Sequence, residues 1–472
     1  MPPHPLQAIL QPKSIAVVGA SETGEGGRYL SSLLKSGFKG KIFPVHPKHG
    51  MVLGLKCYPG VRDIPEDVDY VIATIPSSLA LNLIDDCTAK HVKCIHFYTA
   101  RFSETGRKDA IELEKEILRQ AGKAGICIIG PNGMGVYYPE WGLSWTPVMS
   151  NQPGFIGFIS QSGSVAFEII ESAEVRGMHF SKAVSYGNAL DINESDYLEY
   201  LSQDDATRLI IIYIEGVRDG KRFLEILRRT TPQKPVIILK GGRGQSGTRA
   251  TASHTASLAG SMTVWNTAMA QAGAVSVAHI EQLLDTAAAF YFLPPAYRNR
   301  VGVAGAGGGW SVMAADLCEE AGLNVIPLPD AIRQALQKAD NPVWDWVTNP
   351  VDFSIAVELV PAFITKMMAE NPDFDLNIVF LDPQRNRGAL SSDVILNEFP
   401  WSDLQKKPLF VVLLDWGKTA AGTDLAGSEL YRDLRNKLIG MGIPAYPTAA
   451  RAANAAGKMI GYYINQKKNI TV

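Results

Sequence analysis

One histidine stands where it could act as a nucleophile toward phosphorus. His254 lies in Lys240-Gly-Gly-Arg-Gly-Gln-Ser-Gly-Thr-Arg-Ala-Thr-Ala-Ser-His-Thr-Ala-Ser-Leu-Ala-Gly260, a loop of small residues that follows an apolar run. Hydroxylic neighbours leave the imidazole unobstructed and supply donors for phosphate oxygens, and the glycines at 241, 242, 244 and 247 let the loop swing. Glu215 closes the run Leu209–Ile214, and ligands of open parallel sheets sit at the carboxyl ends of strands. A carboxylate there that accepts the imidazole Nδ1–H would fix the tautomer and leave Nε2 free to attack. Ser160-Gln-Ser-Gly-Ser164 reads as a helix N-terminus with Ser162, Gly163 and Ser164 around an anion. Ser185-Tyr-Gly-Asn188 ends another strand and would bring the amides of Gly187 and Asn188 to the same crevice.

Two familiar phosphate and hydrolase patterns fail at single positions. Gly242 to Gly247 has P-loop spacing, but Thr248 stands where the lysine belongs. A nucleophile elbow needs glycine where Ser160 stands. A second anion loop, Val17-Val-Gly-Ala-Ser-Glu-Thr-Gly24, ends a strand and opens a helix. It departs from the dinucleotide fingerprint, because Ser21 replaces the second glycine and the next strand ends in Phe43-Pro-Val-His-Pro-Lys48 without an acid. Gly19, Ser21 and Gly24 with Lys48 suit a ligand with an extra phosphate near its ribose, NADP or coenzyme A, and disfavour NAD. The other histidines are scattered without metal-ligand company, so no metal site is expected.

The elements that must hold these residues alternate strand and helix, the mark of parallel α/β layers. Strands read at Ser14–Val18, Lys41–Val45, Tyr70–Ile75, Cys94–Tyr98 and Gly125–Ile129, giving a Rossmann-like domain over 1–135. The stretch Pro131–Gln152, rich in Gly, Pro, Asn and Trp, reads as a connection. Beyond it lies a repeat. Gly157–Glu168 and Gly302–Met313 are both strand, glycine turn and helix; Leu209–Gly216 resembles Leu376–Pro383; Lys234–Lys240 resembles Lys407–Leu414. Two related flavodoxin-like domains are therefore expected over 153–295 and 300–465. Glu215 aligns with Asp382 while His254 falls opposite Ala421, so the last domain would be a copy without the nucleophile.

Composition bounds the rest. The chain has 472 residues, 45 Lys+Arg against 47 Asp+Glu, which leaves no global field to hold nucleic acid or an anionic membrane. A hydrophobic share of 46% with 19% charged residues excludes wholesale disorder. Apolar runs are strand-length, and MPPHPLQAIL shows neither a basic flank nor an h-region, so a cytoplasmic protein is expected. Five cysteines without a CxxC pair argue against a disulfide framework.

Gly19-Ala-Ser, Pro44-Val-His-Pro-Lys48, Ser160-Gln-Ser-Gly163, Tyr213-Ile-Glu-Gly216, Asn349-Pro-Val-Asp352 and above all Ser253-His-Thr255 resemble the NDP-forming acyl-CoA synthetases, relatives of the succinyl-CoA synthetase α subunit. The resemblance covers nearly the whole chain. It implies a CoA-binding first domain, His254 as the residue phosphorylated in turnover, Glu215 as its carboxylate, and phosphate binding at Ser162, Gly163 and Ser164. It matches Gly19, Ser21, Gly24 and Lys48 to CoA contacts, with Ile75, Pro76, Thr99 and Ala100 at the ends of later strands. The implied activity is an ADP-forming acid–thiol ligase running through acyl phosphate and phosphohistidine. The nucleotide-binding ATP-grasp domain of that family is not found here, so ADP or ATP and Mg²⁺ are expected on a separate β subunit in an α₂β₂-type assembly. The competing expectations are a CoA-binding regulatory protein without turnover and an NADP-dependent oxidoreductase.

Overall fold

A computed structural model describes residues 4–249, 261–305, 307–339, 341–353, 361–383, 391–417 and 423–470, and the chain divides into two compact units, 1–278 and 279–472.

The first unit holds two sheets. In the first, β1 (Ser14–Val18), β2 (Lys41–Val45), β3 (Tyr70–Ala73), β4 (Cys94–Phe97) and β5 (Cys127–Ile129) run parallel in the order β2-β1-β3-β4-β5. Pro44 lacks an N–H and is tolerated in β2 because that strand is an edge. The second sheet contains β6 (Gly135–Tyr137), β7 (Ile156–Ser160), β8 (Phe180–Ser185), β9 (Leu209–Ile214), β10 (Val236–Lys240) and β11 (Val275–Val277), ordered β11-β10-β9-β7-β8-β6. All neighbours are parallel except β6, which pairs antiparallel with β8. The uninterrupted apolar run of β9 suits a central strand covered on both faces, and Ile210, Ile211, Ile212 and Ile214 are wholly buried. The 131–152 stretch read as a connection thus contributes an edge strand to the second sheet. Three residues that begin with a glycine give no periodicity by which to see it.

The second unit carries β12 (Arg300–Ala304), β13 (Asn324–Val325), β14 (Leu376–Leu381), β15 (Leu409–Leu413) and β16 (Ala445–Tyr446), all parallel, ordered β13-β12-β14-β15-β16. Numbered within each sheet, the parallel strands of all three follow the flavodoxin-like order 2-1-3-4-5. That order reverses direction between its first and third strands, so the carboxyl ends there open a crevice. The α/β class with parallel sheets, read from the alternation, is the fold observed. Among the described residues no helix is long and apolar enough to cross a membrane.

Candidate active site

The first unit contains a cavity of about 430 Å³ whose wall is drawn from both of its sheets. From the second sheet come the turn after β7, the loop after β8 and the end of β9; from the first come the end of β4 and the chain beyond β5.

The turn after β7 opens helix α2 (Gly163–Glu174). Ser162 caps it from an extended backbone and accepts from the Val165 amide at 3.4 Å. Ser160 Oγ donates to the Ser162 carbonyl at 2.7 Å, which fixes the turn, and Ser162 Oγ lies 3.2 Å from Ser164 Oγ. Two hydroxyls and the positive end of a helix therefore face the cavity at one place, a ready seat for an anion.

Gln161, between these serines, works in the other direction. Its Oε1 accepts the amides of Glu215 (2.7 Å) and Gly216 (3.1 Å), locking the end of β9 to the turn after β7. Lys240 Nζ donates to the Glu215 carbonyl at 2.7 Å, and burial lowers its pKa. The Glu215 side chain is bound on one oxygen only. Tyr213 Oη donates to Oε1 at 3.2 Å, while buried Oε2 finds no partner among the described residues. Burial first, and Glu215 second, push the Tyr213 phenol well up, so it remains a donor. A buried carboxylate oxygen without a donor costs free energy unless something meets it.

The loop after β8 is held by sterics as well as bonds. Gly187 has φ +54°, and a Cβ there would lie 2.2 Å from the Pro131 carbonyl oxygen and 2.3 Å from that of Asn132. Asn188 Nδ2 donates to Glu104 Oε2 at 2.7 Å and its carbonyl accepts from Arg218 Nη2 at 2.7 Å. Gly187 and Asn188 line the cavity with Ser162, Gly163, Ser164 and Glu215. The structure thus brings together five expected phosphate residues and the expected carboxylate. His254 lies outside the described residues.

The residues expected at coenzyme A all lie at the carboxyl ends of neighbouring strands of the first sheet. Gly19 follows β1 with φ +89°, and a Cβ there would meet Thr74 Oγ1 at 2.6 Å. Ser21 Oγ donates to the Thr23 carbonyl, and helix α1 (Gly24–Lys35) starts at Gly24 with no side-chain cap from Thr23. On that helix a Cβ at Gly26 would lie 2.2 Å from the Gly19 carbonyl, so the packing of helix on strand demands glycine. Lys48 is exposed beyond β2, Ile75 and Pro76 follow β3, and Thr99 and Ala100 follow β4. Thr99 Oγ1 ties the last two turns by donating to the Ile75 carbonyl at 2.5 Å. Of this set, Ala100 also lines the cavity.

Sequence reasoning missed five cavity residues: Tyr98, Asn132, Gly133, Met134 and Gln161. Gln161 sat inside a motif that was read, yet its role as a bridge between strand ends depends on three-dimensional pairing. Asn132, at φ +61°, follows the cis bond Gly130–Pro131, and Pro-Asn-Gly is a turn signal that marks such a bend without saying where it leads. No group of three or more His, Cys, Asp or Glu that could hold a metal occurs among the described residues.

Residues 13–139 match a family model described as a CoA binding domain, and residues 153–290 one described as a succinyl-CoA ligase like flavodoxin domain. The chain is 32% identical over 465 residues to acetate–CoA ligase (ADP-forming) I subunit alpha of Pyrococcus furiosus, covering 95% of this chain and 96% of that one. It is 34% identical over 386 residues to acetate–CoA ligase (ADP-forming) I of Archaeoglobus fulgidus, a longer protein. The match takes in 80% of this chain but only 55% of that relative, so the chain spans little more than half of its length. Among solved structures, dinucleotide forming acetyl-coenzyme A synthetase 1 of Ca. Korarchaeum cryptofilum, in complex with phosphate and ADP, matches with TM-score 0.83 and 29% identity over 99% of this chain and 98% of that chain.

Proposed function

The chain belongs to the ADP-forming acyl-CoA ligase family, and from that premise we propose that it is the α subunit of such an enzyme, interconverting acyl-CoA, phosphate and ADP with the free carboxylic acid, coenzyme A and ATP. The observation that carries the reading is the 430 Å³ cavity in which the N-terminus of α2 with its two serine hydroxyls stands beside a carboxylate with one buried oxygen left unbonded. Phosphate would sit at Ser162, Gly163 and Ser164, with Gly187 and Asn188 across from it. Coenzyme A would lie along Gly19, Ser21, Gly24 and Lys48 and reach the cavity past Ile75, Pro76, Thr99 and Ala100. The glycines at 19 and 26 let the turn after β1 pack tightly against Thr74 and the start of α1, and a pyrophosphate would lie at the N-terminus of that helix.

The steps balance without an oxidant or a metal on this chain. A phosphate oxygen attacks the thioester carbonyl carbon, the carbon–sulfur bond breaks, and coenzyme A leaves as the thiol, giving an acyl phosphate. Nε2 of His254 then attacks phosphorus and the carboxylate leaves. Glu215 Oε2 accepts the Nδ1–H in that step, so the cation forming on the ring meets a carboxylate whose backbone is fixed by Gln161 and Lys240 and whose Oε1 is held by Tyr213. Phosphohistidine passes its phosphoryl group to ADP on a separate ATP-grasp β subunit, where Mg²⁺ accompanies the nucleotide, in an α₂β₂-type assembly of the cytoplasm. The curated relatives named as α subunits support a partner chain.

The test is the intact mass of the chain after incubation with acyl-CoA and phosphate, alone and with the β partner, beside His254→Ala. A gain of about 80 Da, acid-labile and absent from the variant, is expected. Persistence of the gain in His254→Ala, or no gain with any acyl-CoA in the complete assembly, overturns the proposal.

A further inference from the structure

Resting on that reading, we propose that Met134 and Tyr98 form the acyl-binding wall of the cavity, that the site takes acyl groups with uncharged tails, and that Met134 sets how large the tail can be. A thioester brought in past Ala100 must place its carbonyl carbon within reach of a phosphate on Ser162 and Ser164. Its tail then has two kinds of wall to lie against. One is polar and already committed to holding backbone and proton: Gln161, Asn188 and Glu215. The other consists of Met134 and Tyr98, the two large side chains of the described lining that offer apolar surface.

That second wall touches the phosphate seat directly, since a Cβ on Gly163 would stand 2.8 Å from Met134 Cγ. It is also firm. The Met134 amide donates to Ser185 Oγ at 3.1 Å, and its carbonyl accepts from buried Tyr29 Oη at 2.8 Å. Behind the side chain the space amounts to about 10 Å³, room for a single water at most, so the thioether has little ground to retreat into. Tyr98 is held from the same helix: its ring packs edge-on against Tyr29 at 5.7 Å, and the Arg28 guanidinium lies 5.3 Å from its centroid. The Met134 backbone and the Tyr98 ring are thereby tied to α1, the helix that follows the coenzyme loop.

Charge narrows the class further. The described lining contains the Glu215 carboxylate and no cationic side chain. A tail ending in a second carboxylate would lose its water, face a like charge and find no cation in the described lining. Specificity of that sort comes from what the pocket lacks as much as from what it touches.

Equilibrium binding reads the acyl subsite apart from turnover. Calorimetry of the full chain with CoA, acetyl-CoA, butyryl-CoA, phenylacetyl-CoA and succinyl-CoA is compared for wild type, Met134→Ala and Met134→Trp, with melting temperatures to confirm folding. Butyryl-CoA is expected to bind more tightly than acetyl-CoA, and succinyl-CoA, of similar length, at least about tenfold more weakly than butyryl-CoA. Met134→Ala should improve phenylacetyl-CoA relative to acetyl-CoA by about tenfold, and Met134→Trp should abolish the butyryl gain, both leaving CoA itself unchanged. Equal binding of butyryl- and succinyl-CoA, or variants that move CoA and every acyl-CoA alike, overturns the acyl wall and leaves the ligase reading standing. Failure of wild type to bind CoA at all overturns both.

Discussion

Replacing Glu215 with glutamine isolates the one atom on which the phosphoryl transfer is argued to depend. The substitution keeps the side-chain volume and leaves the backbone bonds from Gln161 and Lys240 in place. It changes what stands at the unbonded oxygen. Tyr213 Oη donates to Oε1 at 3.2 Å, which selects the amide orientation with its oxygen on that side. The amide NH₂ then takes the place of Oε2, and an imidazole arriving with its Nδ1–H finds a donor where it needs an acceptor. A hydrogen bond to a charged group contributes about 1.5–3 kcal/mol, so phosphorylation of His254 should slow by roughly 10- to 150-fold. The loss should fall on kcat, with KM for acyl-CoA held, because none of the strand-end residues assigned to coenzyme A is touched. Tyr213→Phe, which removes only the bond to Oε1, should cost roughly 2- to 12-fold. Rapid-quench measurement of acid-labile phosphate in the complete assembly gives the rates. Thermal stability of Glu215→Gln should hold or rise, since a neutral amide replaces a carboxylate whose buried oxygen has no donor. Phosphorylation of Glu215→Gln within threefold of wild type would refute the argument, because no other described group of the cavity can take the imidazole proton's charge.

Asp204→Ala should destabilise the first unit by about 3–5 kcal/mol in urea melts, because it strands the Lys182 ammonium, whose side chain is 2% exposed and 2.8 Å from Asp204; adding Lys182→Met should recover much of that loss. Gly187→Ala should cost at least about 2 kcal/mol, the left-handed backbone and the clash with two carbonyl oxygens acting together, and the same variant should lose phosphorylation as the loop shifts. His96 supplies a pH dependence. Burial holds its folded pKa to about 4, below the 6.5 of the exposed ring, so as pH falls the unfolded chain takes the proton first. Its contribution to stability is full above pH 6.5 and is lost on descending to about 4, by about 3 kcal/mol; that slope should be absent from His96→Gln.

How far the site could be read from sequence follows from which interactions are local. Ser14–Val18 and Lys41–Val45 are strands at the bounds their apolar runs suggest, because five buried or edge residues between turn signals carry the whole signal. Tyr70 and Cys94 begin strands as expected, but these stop at Ala73 and Phe97, where the chain turns to present Ile75 and Tyr98. Gly163 as a helix start and Ser162 as its cap are legible for the same reason, since Ser followed by Gly ahead of an apolar periodic run is a local instruction. Met134 was not legible. Its importance comes from a backbone pinned by Tyr29, more than a hundred residues earlier, and by Ser185, some fifty residues later. Nothing near position 134 announces either partner, and the glycines and prolines around it suggest a linker.

The second and third sheets show why a shared strand order does not by itself make an anion site. Alignment of the glycine turns sets Gly307, Gly308 and Gly309 opposite Ser162, Gly163 and Ser164. Helix α3 (Gly308–Glu320) accordingly begins from Gly307 with no side-chain cap, so both hydroxyls of the α2 seat are gone. In their place Asp352 approaches: its Oδ2 would stand 3.1 Å from a Cβ on Gly308. The positive end of that helix thus faces a carboxylate of its own chain, and an incoming phosphate would meet like charge where α2 offers donors. Next to it the indoles of Trp310 and Trp416 stack with centroids 6.4 Å apart, bulk where the first copy keeps Val165 and a glycine-rich loop. The topology supplies a helix end and a strand-end acid, Glu215 in one copy and Asp382 in the other. What differs is the residue at the cap and the charge set against it, and phosphate at α2 but not at α3 is the consequence to expect.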